Sequence, residues 1–291
     1  VKTYLNFLSL INSKPKIDKI SLSLKEIDIE QLKKIIIKAK PSNLNSLIVN
    51  KVNNGKIKIN IEIFFHENFN LKNFIARGKV KNMDATFIEN LEIKNTNFDF
   101  FADPTDVLIK NINTKIDGIE VKEGNLQLKR EQEVKIKSDF ISKINLNIDN
   151  IDKFLPLTKN LKFFNKKTTI NGSVENFFDI TFDKTFKVKD YSYKNRGNIK
   201  KASFYLDRPF QNLFLKEPIS TFDLKDIVFN SHFNSEKKDK LFFSGIYSTD
   251  KKKFQKFDFK NNLINKNSNI NLFLEVDQEL KFDLINFKKD K

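Results

Sequence analysis

Residues that usually carry chemistry are few in this chain. It has no Cys and only two His, His66 and His232, among 291 residues. Without thiols there are no disulfides, thiolate ligands or Cys nucleophiles, and the redox compartment stays open. The two His lack a partner at ligand spacing, so no metal site is expected. His66 follows a strand-like run and precedes Glu67, which suits a turn or rim. No nucleophile elbow, phosphate loop or dinucleotide fingerprint occurs. Asp103 and Asp106 flank Pro104 and Thr105, a turn composition rather than an acid–base pair. Arg77 and Arg196 each precede a glycine. They suit a head group at a rim, although a rim salt bridge is the simpler role. No catalytic residue, cofactor or metal is therefore expected, and the chain reads as a non-enzyme.

The chemistry that remains is desolvation. In Lys56–Phe65, Ile57, Ile59, Ile61, Ile63 and Phe65 alternate with Lys56, Lys58, Asn60 and Glu62, and only Phe64 breaks the polar set. Strict period-two alternation marks a strand with one apolar and one wet face. Burying each of the five side chains contributes roughly 1.5 to 3 kcal/mol. That face needs a cover, either more protein or an apolar ligand.

The formal charge is +16, from 53 basic and 37 acidic residues. Nearly all the basic residues are Lys; only Arg77, Arg130, Arg196 and Arg208 are Arg. They are spread along the chain among Asp and Glu, which reads as a solvated face. The functional reading of that charge is a weak attraction to anionic lipid head groups. Nucleic-acid binding is not expected, because it needs a clustered basic face with exposed aromatics. Phe is abundant at 31 residues, while Trp is absent and Gly and Pro number seven and six. The chain starts at Val1 and has no signal peptide or long apolar run, so it is expected to be an excerpt of a longer protein.

The elements around these faces follow in order. Tyr4, Leu5, Leu8 and Ile11 fit a short helix ending near Pro15. Ile20, Leu22 and Leu24 alternate as a strand. Asp28 and Gln31 form a capping-box pattern ahead of a helix up to Lys40, with Pro41 beyond it. Asn53-Asn54-Gly55 is a turn signal. Strand runs follow at Phe74–Val80, at Phe87–Ile93 with a break near Ile88, at Phe98–Phe100 and at Val134–Phe140. Asp117-Gly118 and Glu123-Gly124-Asn125 read as turns or bulges.

From Ile141 the pattern restarts. Ile141–Ile148 echoes Ile17–Leu24, a helical piece near Lys153–Leu161 again carries a proline, and Ile170, Gly172, Val174, Asn176, Phe178, Ile180 and Phe182 alternate. Arg196-Gly197 echoes Arg77-Gly78, and Ala202-Ser203-Phe204 echoes Ala85-Thr86-Phe87. The offset is about 117 to 124 residues, a divergent internal repeat. Two repeats are expected, residues 1–140 and 141–291, the second continuing the sheet of the first. The last third is strands alone, including Phe222–Phe229, Leu241–Tyr247, Phe257–Phe259 and Ile270–Val276.

About sixteen to twenty strands in hairpin order make a sheet that must curl, split or close. A membrane barrel would face its apolar side outward and carry Tyr and Trp girdles, which are missing. A protein-filled sandwich explains the alternation with no ligand. The length of the meander and the excess of Phe on one face favour an all-β fold with short helices. It is a long antiparallel meander curled into an elongated open groove with an apolar inner face, built from divergent repeats. Ile57, Ile59, Ile61, Ile63, Phe65, Phe98, Phe100, Val174, Phe178, Ile180 and Phe182 are expected to line it.

The stretch Phe74-Ile75-Ala76-Arg77-Gly78-Lys79-Val80 through Ile112–Leu126 resembles the AsmA-like proteins of Gram-negative bacteria. The likeness is to the YhdP-type branch, and more distantly to TamB. The helices after Asp28 and after Asp152 share this style. The resemblance implies a periplasmic, inner-membrane-anchored protein that bridges phospholipid between inner and outer membranes. Acyl chains would slide in the groove, the anchor would lie outside this excerpt, and envelope proteins would meet the far end. The alternative is a scaffold β-sandwich of the envelope with a protein-filled core.

Overall fold

The computed structural model describes residues 1–5, 16–38, 43–66, 68–88, 91–147, 167–185, 187–211, 218–264, 267–276, 280–282 and 287–289. Its elements are β1 (Lys2–Leu5), β2 (Ile17–Asp28), α1 (Ile29–Ile36), α2 (Asn43–Lys51), β3 (Val52–Phe65), β4 (Leu71–Ile88), β5 (Leu91–Ala102), β6 (Asp106–Ile116), β7 (Ile119–Arg130) and β8 (Val134–Asn147). There follow β9 (Thr169–Phe182), β10 (Val188–Phe210), β11 (Ile219–Asn234), β12 (Lys238–Ser248), β13 (Gln255–Ile264), β14 (Asn267–Leu274), β15 (Leu280–Phe282) and β16 (Phe287–Lys289). Strands β1 to β14 form one sheet in chain order without a crossover, and β15 and β16 pair separately. It is an antiparallel meander that does not close. The expected all-β antiparallel meander is therefore the observed fold class.

The chain forms two compact units. Unit 1 comprises Val1–Ile116, Glu120–Phe140 and Phe178–Asp190, and unit 2 comprises Asp117–Ile119, Ile141–Phe177 and Tyr191–Lys291.

Short polar turns produce the hairpin order. Asp103 Oδ1 accepts the backbone N–H of Asp106 at 2.7 Å and of Thr105 at 2.8 Å. These donors, Asp106 first, hold the Asp103 carboxyl below its ordinary value. Asp183 repeats the device with Thr185 and Lys187, and Asp250 with Lys252 and Lys253. Asp103 and Asp106 thus belong to a turn.

Among the described residues, five strands carry a mid-strand non-glycine residue at positive φ: Asn82 in β4, Asn95 in β5, Asn111 in β6, Glu123 in β7 and Asp226 in β11. Asn tolerates this region because its side chain bonds the local backbone. Asn97 Oδ1 accepts the Asn82 N–H at 3.1 Å, and Asp84 Oδ1 accepts the Asn95 N–H at 2.8 Å. Asn97 and Asn113 donate to the carbonyls of Asn95 and Asn111. These bulges re-aim the strand ends, and beyond the β4 bulge Met83 and Ala85 join the core cluster around Val80.

Several local expectations need correction. Tyr4 and Leu5 lie on strand β1, because Lys2–Leu5 pairs with β2. Residues 6–15 and the helical piece near Lys153–Leu161 lie outside the described residues. Helix α1 stops at Ile36, short of Lys40, and Asp28 makes no side-chain cap bond. A second helix, α2, follows Pro41. Asn53-Asn54-Gly55 lies inside β3, where the register shifts, rather than in a turn. Gly55 sits there at φ +135°, a conformation other residues rarely adopt. Near Ile88 the expected break separates two paired strands, β4 and β5.

Candidate functional site

In unit 1 the alternating residues of β3 meet apolar partners on both sides. Ile57 pairs with Ile27 and Val80, and Val80 with Phe98. Ile59 pairs with Leu24 and Gly78, and Gly78 with Phe100. Ile61 lies between Leu22 and Ala76, and Ile63 between Ile20 and Phe74. Cross-strand partners share a face, so these rows form a continuous apolar surface. One end of it is covered by protein. Ile29 and Leu32 of α1 pack with Ile57, Val80 and Ala85, and Ile59, Phe98 and Phe100 join them. Ile57 is 8% exposed and Ala85 is fully buried. Farther along β3, Ile61, Ile63 and Phe65 are half-buried.

The remaining expected residues divide between the units. Val174 is buried in unit 2, whereas Phe178, Ile180 and Phe182 are half-buried in unit 1. Phe178 stacks on Phe140 at 5.8 Å. The single alternating run Ile170–Phe182 therefore serves both units.

Unit 2 contains an apolar trough of about 570 Å³. Its floor is the row Phe229–Phe243–Phe259–Leu272, paired in register across β11 to β14. The three rings follow at 5.9 and 6.2 Å, and Ile170, Ile199 and Leu224 are among the other lining residues. None of these residues was among the expected lining set. Their alternation is visible in the sequence, but the pairing that aligns them is not. A register clue lies in the repeat. Gly78 pairs with Phe100 and Gly197 with Phe229. At either glycine an added Cβ would meet that ring and a neighbouring carbonyl, so each repeat leaves a gap filled by an aromatic.

A polar row also crosses unit 2. Asn176 Nδ2 donates to Ser142 Oγ at 3.0 Å, Asn195 Nδ2 to Asn176 Oδ1 at 2.8 Å, and Ser231 Oγ to Asn195 Oδ1 at 2.9 Å. Tyr193 OH donates to Asn176 Oδ1 at 3.1 Å. Ser142, Asn176, Asn195 and Ser231 are at most 7% exposed. Paired polar groups within an apolar face fix strand register, since a slip would strand each of them. Thr96 and Thr114, 2.7 Å apart, make the shorter counterpart in unit 1. Asn176 was readable as a polar residue at an apolar position of its run.

The polar candidates fall elsewhere. Arg77 lies over the Phe101 ring at 5.7 Å. Arg196 lies over Phe177 at 5.7 Å and pairs with Glu175 at 2.6 Å. By alternation both occupy the face opposite their apolar neighbours. His66 is exposed in a turn, and His232 lies 3.0 Å from Ser192 Oγ. Among the described residues, no group of three His, Asp or Glu side chains could hold a metal. Among them too, no helix is long and apolar enough to cross a membrane, which does not bear on strands.

Compared with known proteins, the chain matches no family model, no curated protein and no solved structure.

Proposed function

We propose that this chain is a non-enzymatic lipid-transport segment whose apolar sheet faces bind phospholipid acyl chains. Its setting in this reading is the periplasm of a Gram-negative bacterium, anchored to the inner membrane and passing lipid toward the outer one. The observation that supports it best is the 570 Å³ trough of unit 2, lined by apolar side chains. Each methylene buried there contributes about 0.8 kcal/mol. Neighbouring positions on a uniform floor are close in energy, so an acyl chain can shift along it without a large barrier. No reacting group is needed.

Phe242 and Phe243 are adjacent, half-buried and on opposite faces of β12. In the purified chain without vesicles, a photoreactive phenylalanine at Phe243 should crosslink co-purified phospholipid, and the same residue at Phe242 should not. Equal labelling at both positions, or none at Phe243, would count against acyl binding.

The second reading is a scaffold segment with a protein-filled core. Helix α1 over Ile57 and Val80 is the observation that favours it. Lysine at half-buried Ile61 separates the two. Lost lipid with a retained fold supports the conduit, and global unfolding supports the filled core.

A further inference from the structure

We propose that the polar face of β10–β13 in unit 2 is a docking surface for an anionic phospholipid bilayer. This is the opposite face from the trough and does not rest on acyl binding. Lys194 pairs with His232, His232 with Lys240, and Lys240 with Asn262. In the next row Asn230 pairs with Phe242, and Phe242 with Lys260. These residues line a concavity of about 470 Å³.

Lys194, Lys240 and Lys260 are exposed, and among the described residues no ion pair engages any of them. The nearby charges leave the excess positive. Arg196 is held by Glu175 and Lys238 by Glu236. Of the carboxylates on this face, Glu175 is taken by Arg196, Asp223 accepts from Ser203, and Asp258 stands two residues before Lys260, while Asp239 lies on the opposite face. Asp258 pairs with Phe273, which is 54% exposed on strand β14, diagonal to Lys260.

Flexible lysines with an exposed Phe on the neighbouring end strand suit a head-group layer. The ammonium groups meet diffuse phosphate charge, and the ring reaches the acyl boundary. Phosphate forks on nucleic acid favour Arg instead. The sequence shows basic residues scattered along the chain. Cross-strand register gathers these three onto one surface.

The test is co-sedimentation of the full chain with vesicles of phosphatidylcholine, with and without phosphatidylglycerol. Binding is expected only with phosphatidylglycerol. Replacing Lys194, Lys240 and Lys260 together by Gln should weaken it about fivefold per lysine, roughly a hundredfold in all. Replacing all three by Arg should preserve it. The control Lys58→Gln, Lys110→Gln and Lys115→Gln removes equal charge from unit 1 and should weaken binding less than about fivefold in all, the loss of a single contacting lysine. Equal losses in the two Gln triples would overturn the proposal. So would binding to phosphatidylcholine alone, or tighter binding to a single-stranded oligonucleotide than to the anionic vesicles.

Discussion

In unit 1 the row Ile27–Ile57–Val80–Phe98 ends beneath Ile29 and Leu32 of α1. In unit 2 the row Phe229–Phe243–Phe259–Leu272 is the floor of a trough. Both are cross-strand apolar rows, and both place a glycine against the ring of the next strand. What differs is the cover. A helix makes the first row core, with Ile57 at 8% exposure, while Leu272 is 57% exposed. Alternation in a strand therefore specifies an apolar face, and the packing partner decides whether it serves stability or binding.

The largest expected effect is at the covered row. Ile57→Ala should lower stability by about 2–5 kcal/mol in urea unfolding, because α1 and β4 cannot close the space fully. A loss below about 1 kcal/mol would mean the helix does not seal that end.

Next is the polar row. Asn176→Ala removes the partner of Ser142, Asn195 and Tyr193, and leaving such groups unpaired costs about 1–3 kcal/mol. The same unfolding curve reads it, and an unchanged midpoint would mean the row is not a register device. Gly78→Val and Gly197→Val should each cost about 1–3 kcal/mol through overpacking against Phe100 and Phe229. A cost in one repeat only would break the parallel between the two units.

At the trough the sign of the comparison reverses. Leu272→Ala should change stability by no more than about 0.5 kcal/mol. It should still reduce phospholipid recovered with the protein. Destabilisation on the scale of Ile57→Ala would make the trough an ordinary core.

The smallest effect concerns pH. Asp103 has its folded-state acidity strengthened by the Asp106 and Thr105 amides. Its contribution is present above the unfolded value of about 4 and is lost as pH falls through the depressed folded value. Protection of the Asp106 amide in hydrogen exchange should drop in that acidic range. Asp103→Asn should remove the dependence, and persistence of the drop in that variant would assign it elsewhere.

The fold class was legible because alternation, scarce proline and turn composition at Asp103 and Asp117 agree with one another. The line of bulges was legible only at Glu123. Asn82, Asn95 and Asn111 look like ordinary wet-face residues until register aligns them. The Asp28–Gln31 spacing placed the helix start, since Asp28 is the N-cap of α1, although its side chain makes no cap bond. The expected lining residues of β3 share a face, but the trough is built from strands whose alternation is weaker. Phe243 and Phe259 meet only through pairing that sequence spacing does not encode. The basic surface escaped for the same reason, since Lys194, Lys240 and Lys260 sit on three separate strands.

The most direct test of acyl binding is mass spectrometry of lipid extracted from the purified chain, with an unrelated β-protein of similar charge as control. Phospholipid at about one or more per chain, reduced by lysine at Phe259 with the fold intact, is the result the account predicts. Phospholipid no higher than in the control would contradict it and would leave both apolar faces as structural core.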